Sequence, residues 1–333
     1  MAELPFNPAD AQWIAHRYER TRDEVHFRFV PREIHGDFPF LTEEYVGALP
    51  AARLARAEAV ALARETTAPL RLIFHSAFCA STLLARALDR PGLAMGLSEP
   101  TILNDIVGIR QRREVEPKRV AQLLDEAMLL LARPWGTGEA VVVKPSNILN
   151  PVAAAMLALR PDARAILLHA PLPVFLASVA RKGMWCRLWA RELLERLLQD
   201  GVVDLGFESH EWFRLTDLQV AAVGWVAQHR LFHEMKARFG DRVLAVDSEA
   251  MLAHAPAMLG TIANHLALGE ASIGQSLAQG PAFSRHSKSG SDFSAAERSV
   301  ERAAAMAAHG EEIEKVTIWA EAVARNAGIA LAL

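Results

Sequence analysis

Four short apolar runs punctuate the chain: Leu70–Phe74, Ala140–Val143, Ala165–Leu168 and Val243–Val246. Each is of strand length and nearly continuous in apolar residues, the pattern of a parallel strand buried on both faces. Between them the apolar positions recur at helical spacing. Pro117–Arg133 opens with a proline at its start, Ile148–Leu159 follows the second run, and a helix from Leu172 carries Ser178 and Arg181. Gly183–Trp189 is expected to interrupt that helix and Arg191–Leu198 to resume it. Trp212–Phe239 reads as one long helix stopped by Gly240. Gly92–Leu97 reads as a sheet edge. Strands alternating with helices predict a parallel sheet with helices on both faces, an α/β fold. No internal repeat is present.

Residues 1–65 read as an appendage to a main domain spanning 66–333. Val25–Val30 alternates as a half-buried strand does, and a helix rich in Ala, Arg and Glu is expected from Thr42 to Glu65. Thr66–Pro69 breaks the pattern before the first apolar run.

In a parallel sheet ligands bind outside the carboxyl ends of the strands. All four runs end in polar residues: Ser76–Thr82, Lys144–Asn147, His169 and Asp247–Glu249. The stretch Leu70–Asp89 is the most informative. An apolar strand is followed by a loop of small residues, His75–Ala80, and then by Ser81 and Thr82 at the start of a helical pattern. N–H groups at a helix start carry partial positive charge and bind phosphate or sulfate. Ser81 and Thr82 add hydroxyl donors. The kinase-type loop with its glycines and lysine is absent. Ala77 and Ala80 stand where glycines would, and no cation lies between Arg71 and Arg86. An ordinary strand-to-helix turn is the alternative for this stretch.

Composition narrows the classes. The 333 residues are 51% hydrophobic, enough for a large core, and the net charge of −3 argues against a general nucleic-acid binder. Two cysteines, Cys79 and Cys186, supply neither a disulfide framework nor zinc-ligand spacing. The first residues lack a basic leader and an apolar core, and no apolar run reaches the ~18 residues of a membrane helix. A cytoplasmic protein without membrane or nucleic-acid partners is expected.

The combined pattern resembles the sulfotransferase family from Leu70 onward. The first loop of that family, roughly [KR]-S-G-T-T-x-L, is similar to Phe78-Cys79-Ala80-Ser81-Thr82-Leu83-Leu84, with Phe78 in place of the cation and Ala80 in place of the glycine. The family's Arg-Asp-Pro strand end resembles His169-Ala170-Pro171, with Ser178 on the following helix. Its later strand end resembles Asp247-Ser248-Glu249, and its cationic C-terminal loop resembles Ser284–Gly290. The resemblance implies a P-loop-like three-layer α/β/α fold with a central parallel sheet. It implies 3′-phosphoadenylyl sulfate (PAPS) as donor, a small-molecule hydroxyl or amine acceptor, and no metal. Ala80, Ser81, Thr82, His169, Ser178, Arg285 and Lys288 would bind the donor. Lys144 would stabilise the leaving oxygen, and Glu99 would take the acceptor's proton. The oligomeric state stays open.

Departures from the motifs keep other readings in view. Two cations expected on the donor phosphates are missing, one replaced by Phe78 and one by His169, and a charge-assisted hydrogen bond contributes about 1.5–3 kcal/mol. Arg86, Arg181, Arg285 and Lys288 are the candidate replacements. His75, His169 and His210 are alternative bases, and Cys79 sits where a thiolate would be stabilised. Trp185, Trp189, Phe207, Trp212 and Phe213 form either a lid over the acceptor or ordinary packing. A degenerate ATP-dependent phosphotransferase and a non-catalytic nucleotide-binding or interaction protein are the competing functions.

Overall fold

A computed structural model describes residues 5–283 and 295–333, without the side chains of 295–299. The architecture is a three-layer α/β/α fold around a central parallel sheet. Its strands are β4 (Leu70–His75), β5 (Ala94–Ser98), β6 (Ala140–Lys144), β7 (Arg164–His169) and β8 (Val243–Asp247), in the order β5-β6-β4-β7-β8. All four apolar runs are therefore strands of one sheet, and the segment read as an edge, β5, is an edge. Every residue of β4, β5 and β6 is buried. This is why these strands show no alternation in sequence. In register, Leu70 faces Val141 and Ser98 faces Lys144.

The order places a topological switch beside the central strand. From β4 the chain leaves towards β5, and from β7 it leaves towards β8. Open α/β sheets bind ligands outside the carboxyl ends of their strands.

Three further strands, β1 (Trp13–Glu19), β2 (Glu24–Phe29) and β3 (Ala51–Ala55), form an antiparallel sheet in the order β1-β2-β3. Only β2 was legible beforehand. The helix expected from Thr42 to Glu65 is broken. Glu43–Val46 is one helical turn, Ala51–Ala55 pairs with β2, and α1 is Arg56–Ala63. Pro50 explains the break: it excludes Leu49 from the helical region and cannot sit inside a helix.

The remaining long helices are α2 (Ser81–Leu88), α3 (Thr101–Gln111), α4 (Pro117–Leu131), α5 (Ala153–Leu159), α6 (Leu172–Arg181), α7 (Gly183–Gln199), α8 (Asp217–Phe239), α9 (Ala255–His265) and α10 (Ala295–Asn326). Two boundaries differ from expectation. The interruption expected at Gly183–Trp189 is confined to the start of that stretch. Gly183 takes φ +67° and the helix resumes at once as α7. The long helix begins at Asp217 instead of Trp212, because Thr216 caps it. The Thr216 side chain accepts from the Gln219 N–H, and Gln219 accepts from the Thr216 N–H.

The described residues divide into two compact units. One takes residues up to 74, 81–166 and 255–283; the other takes 75–80, 167–254 and 295–333. In the first unit a strap reaches the end of β5, where the Leu41 N–H donates to the Ser98 carbonyl at 2.8 Å. In the second, Leu194, Val220 and Val223 form a core covered by Phe207, Trp212 and Trp319.

Candidate nucleotide and oxyanion site

The loop His75–Ala80 belongs to the second unit. Ala77, Phe78 and Ala80 all lie in the left-handed region, at φ +69°, +51° and +59°. For a residue with a Cβ this conformation costs about 1–2 kcal/mol. Three such residues in four persist only where the surroundings over-determine them. Those surroundings are visible. The Ser76 N–H donates to the Leu168 carbonyl at 3.1 Å, and the Ala170 N–H donates to Ser76 Oγ at 3.2 Å. The Ala77 N–H donates to His75 Nδ1 at 3.2 Å, and Trp225 Nε1 donates to the Ala170 carbonyl at 2.8 Å. The loop is thus tied to the end of β7. Between Phe78 and Ala80, Cys79 has negative φ, and it is alternation of hand that aims successive backbone N–H groups at one point, as anion-binding nests do. The alanines keep the glycine conformation without the glycines.

Phe78 stands where the resemblance expects a cation. Its ring meets Phe175 at 5.7 Å and Trp189 at 5.3 Å between centroids. The Lys182 ammonium lies 5.7 Å from the same ring centroid. A cation therefore stands beside the loop after all, delivered by the junction of α6 and α7. Lys182 has no carboxylate partner among the described residues. Cys79 is fully buried.

At the end of β7, His169 is half-buried with its Nδ1 unpartnered. Burial pushes its imidazole below the ordinary value; Asp247 opposes this shift and His233 adds to it. Its ring lies edge-on to His229, 5.1 Å away. His229 is fully buried and stacked on Trp225 at 3.4 Å. Its Nδ1–H donates to the Trp225 carbonyl at 3.1 Å, and its Nε2 has no partner. Burial holds it well below the ordinary imidazole value. Ser178 donates to the Val174 carbonyl of its own helix at 3.0 Å.

In the first unit, Ser81 and Thr82 start α2 as expected, and both are buried. Lys144, at the end of β6, is 1% exposed and donates to Glu99 Oε1 at 2.5 Å. The Glu99 side chain is 20% exposed. The sheet register makes this pair: Glu99 follows Ser98, opposite Lys144, and its N–H donates to the Lys144 carbonyl at 2.7 Å. Glu99 itself takes φ +51°, a second strained position at a strand end. The Phe40 ring covers the ammonium at 5.0 Å. The two residues named for catalysis are thus brought together.

Other candidates are placed elsewhere. His75 spends its Nδ1 lone pair on the loop, and His210 is exposed on the turn Ser209–Trp212. Arg86 donates to the Asp37 carbonyl at 3.4 Å, and burial holds its guanidinium below the ordinary arginine value. Arg181 pairs with Glu301 at 3.1 Å. Arg285 and Lys288 lie outside the described residues. Of the aromatic group, Phe207 and Trp212 pack in the core and Trp189 packs on Phe78, whereas Trp185 is 68% and Phe213 91% exposed. No group of three or more metal-ligating side chains occurs among the described residues. His229, Lys182 and Phe40 were not singled out from sequence.

No family model matches the chain, and no curated relative does. Among solved structures it is similar to the sulfotransferase domain from the curacin biosynthetic pathway, at 12% identity and a TM-score of 0.43, over 65% of this chain and 80% of that one. It is also similar to the sulfotransferase domain of the Synechococcus PCC 7002 olefin synthase, at 16% identity and 0.37, over 65% and 79%. A third is a sulfotransferase from Mycobacterium avium, at 14% and 0.35, over 73% and 77%.

Proposed function

We propose that this chain is a sulfuryl transferase using PAPS as donor and a small-molecule hydroxyl or amine as acceptor. The observation that carries the reading is the left-handed loop Ala77–Ala80 between β4 and the hydroxyl-bearing start of α2. The motif resemblance around Phe78–Leu84 and His169–Pro171 supplies the donor's identity. In this reading the loop backbone with Ser81 and Thr82 takes the phosphosulfate oxyanions. Lys182 contributes the cation that Phe78 displaces, and His169 meets the nucleotide's 3′-phosphate. The bond from sulfur to the bridging phosphate oxygen breaks as a bond to the acceptor forms. Lys144 stabilises charge on the leaving oxygen, and Glu99 takes the acceptor's proton. The products are a sulfated acceptor and adenosine 3′,5′-bisphosphate. Because Lys144 and Glu99 hold each other, the ammonium must exchange the carboxylate for the donor before Glu99 acts as a base.

Titration calorimetry with adenosine 3′,5′-bisphosphate and with ATP, each with and without Mg²⁺, tests the proposal. Metal-independent binding of the bisphosphate is expected, weakened about tenfold or more by Lys182→Ala if a charge-assisted contact is lost. Preference for ATP–Mg²⁺ would instead point to a phosphotransferase. The bisphosphate bound normally but PAPS never turned over, whatever the acceptor, would point to a non-catalytic nucleotide-binding protein.

A further inference from the structure

Three imidazoles in the second unit carry unpartnered buried nitrogens, His169 Nδ1, His229 Nε2 and His233 Nε2, and the first two face each other. Leaving a buried polar atom without a partner is costly, so such atoms call for an explanation. The tautomer of His229 is fixed by geometry. Its Nδ1 lies 3.1 Å from the Trp225 carbonyl, an acceptor, so Nδ1 carries the hydrogen and Nε2 is a bare lone pair. No donor reaches that lone pair, and the ring is fully buried. The ring of His169 stands 5.1 Å away at 82°.

We propose that His229 is a positioning residue that allows His169 to become an imidazolium when an oxyanion binds. This rests on the reading that the nucleotide's 3′-phosphate meets His169. An imidazolium has N–H groups on both nitrogens. One faces the oxyanion; the other needs an acceptor. The lone pair of His229 Nε2 is such an acceptor, held in place by the Trp225 carbonyl and the indole stack. The two rings are in edge contact, 5.1 Å between centroids, and the His169 Nδ1–H is assigned to that lone pair. The proton comes from solvent, no covalent bond changes, and two charges 5.1 Å apart are opposed, so the pair takes up one proton. The other groups facing the pair are Asp247 at the end of β8, which favours the proton on His169, and His233 one turn along α8, which opposes it. Lys236 acts on His233 in turn. Asp247 Oδ1 already accepts from the N–H groups of Glu249 and Ala250. Burial favours the neutral form of both rings.

The test is calorimetric titration with adenosine 3′,5′-bisphosphate in two buffers of different ionisation enthalpy, at about pH 7.5. There the phosphate monoester, with a second pKa near ~6, is already a dianion. The wild type is expected to take up about one proton per nucleotide, its affinity falling towards tenfold per pH unit as pH rises. His229→Phe keeps a ring on Trp225 but offers no acceptor; proton uptake and the pH slope should both shrink towards zero. Where that variant does not fold, His229→Leu replaces it. His229→Gln, whose carbonyl is an acceptor, should restore part of the uptake. A packing role alone would alter stability without altering the proton count. Wild type that binds with no proton uptake, or His229→Phe with unchanged uptake, overturns the inference about His229. Wild type that does not bind the nucleotide at all overturns the nucleotide reading, a result read from the heat of binding and not from the proton count.

Discussion

The pair Lys144 and Glu99 makes an asymmetric prediction about stability. Lys144 is 1% exposed and Glu99 20%, so the ammonium is the more deeply buried partner. Removing one member of a buried pair costs about 3–5 kcal/mol, because the other charge is left uncompensated. Glu99→Gln leaves the buried ammonium without a countercharge, with the amide oxygen and the Phe40 ring beside it, the ring contributing about 0.5–2 kcal/mol. Its cost should fall near the lower part of that range, about 3 kcal/mol. Lys144→Met keeps the length and the packing on Phe40, and strands a carboxylate that already reaches solvent. About 1–2 kcal/mol is expected, an ordinary loss for a point change. The double variant replaces the pair by uncharged side chains and should cost less than the sum of the two, with a coupling of about 1–3 kcal/mol. Urea unfolding of the four proteins measures this. With a slope of about 1–3 kcal/mol/M or steeper for a chain of this size, the single variants should separate clearly in midpoint. Turnover should vanish in both single variants, although Lys144→Met stays folded at room temperature. If Lys144→Met is as destabilising as Glu99→Gln, or the double variant is merely additive, the pair is not coupled as the geometry requires.

Three other outcomes follow from the same structure. Ala80→Gly, in an αL position, should raise stability by up to about 1 kcal/mol, the relief of strain exceeding glycine's unfolded-state entropy; a lower melting temperature would refute the strain. His169→Arg should bind adenosine 3′,5′-bisphosphate more tightly than wild type at pH 8, by up to about 1.5–3 kcal/mol, because a guanidinium needs no proton uptake; equal affinity by calorimetry would remove His169 from the donor site. His229 is depressed on folding, so the unfolded chain binds its proton more readily. Stability on its account should be complete above the unfolded value near ~6.5 and fall as pH drops below it; His229→Phe should flatten that fall in urea midpoints between about pH 7.5 and 5.

The parts of the fold that were legible are those where burial on both faces leaves an unmistakable apolar run. Leu70–Phe74, Ala140–Val143, Ala165–Leu168 and Val243–Val246 are of this kind. The antiparallel sheet was mostly illegible because β3 reads Ala-Ala-Arg-Leu-Ala, a helix-forming composition. Pairing with β2 overrides that propensity, as tertiary context does for strands generally. At the site, Lys144 and Glu99 were legible as polar residues ending strands or following them, though not that they pair. That depends on register, which places Ser98 opposite Lys144. His229 was hidden because in a long buried helix one more residue at helical spacing carries no mark of its own. Lys182 was hidden because its relation to Phe78 crosses about a hundred residues of chain and exists only once α6 has returned to the loop.

Under the proposed reading, alanine in the glycine position and phenylalanine in the cation position of the loop are connected. In a glycine loop the backbone reaches left-handed conformations without strain, and a lysine on the loop itself meets the anion. Here the same conformations are enforced from outside, by Ser76 and Ala170 across β4 and β7 and by the indole of Trp225. A loop carrying Cβ atoms admits an oxyanion less closely than one of glycines. Phe78, packed on Phe175 and Trp189, anchors the loop to α6 and α7 in the place where its own charge would have been. Those helices bring Lys182, and β7 brings His169. The charge that a glycine–lysine loop holds within a few residues is thereby spread over side chains from separate elements. One of them is a histidine whose burial favours its neutral form. If the proposed reading holds, anion affinity should follow pH and the integrity of α6 and α7 in a way that a lysine-bearing loop's does not.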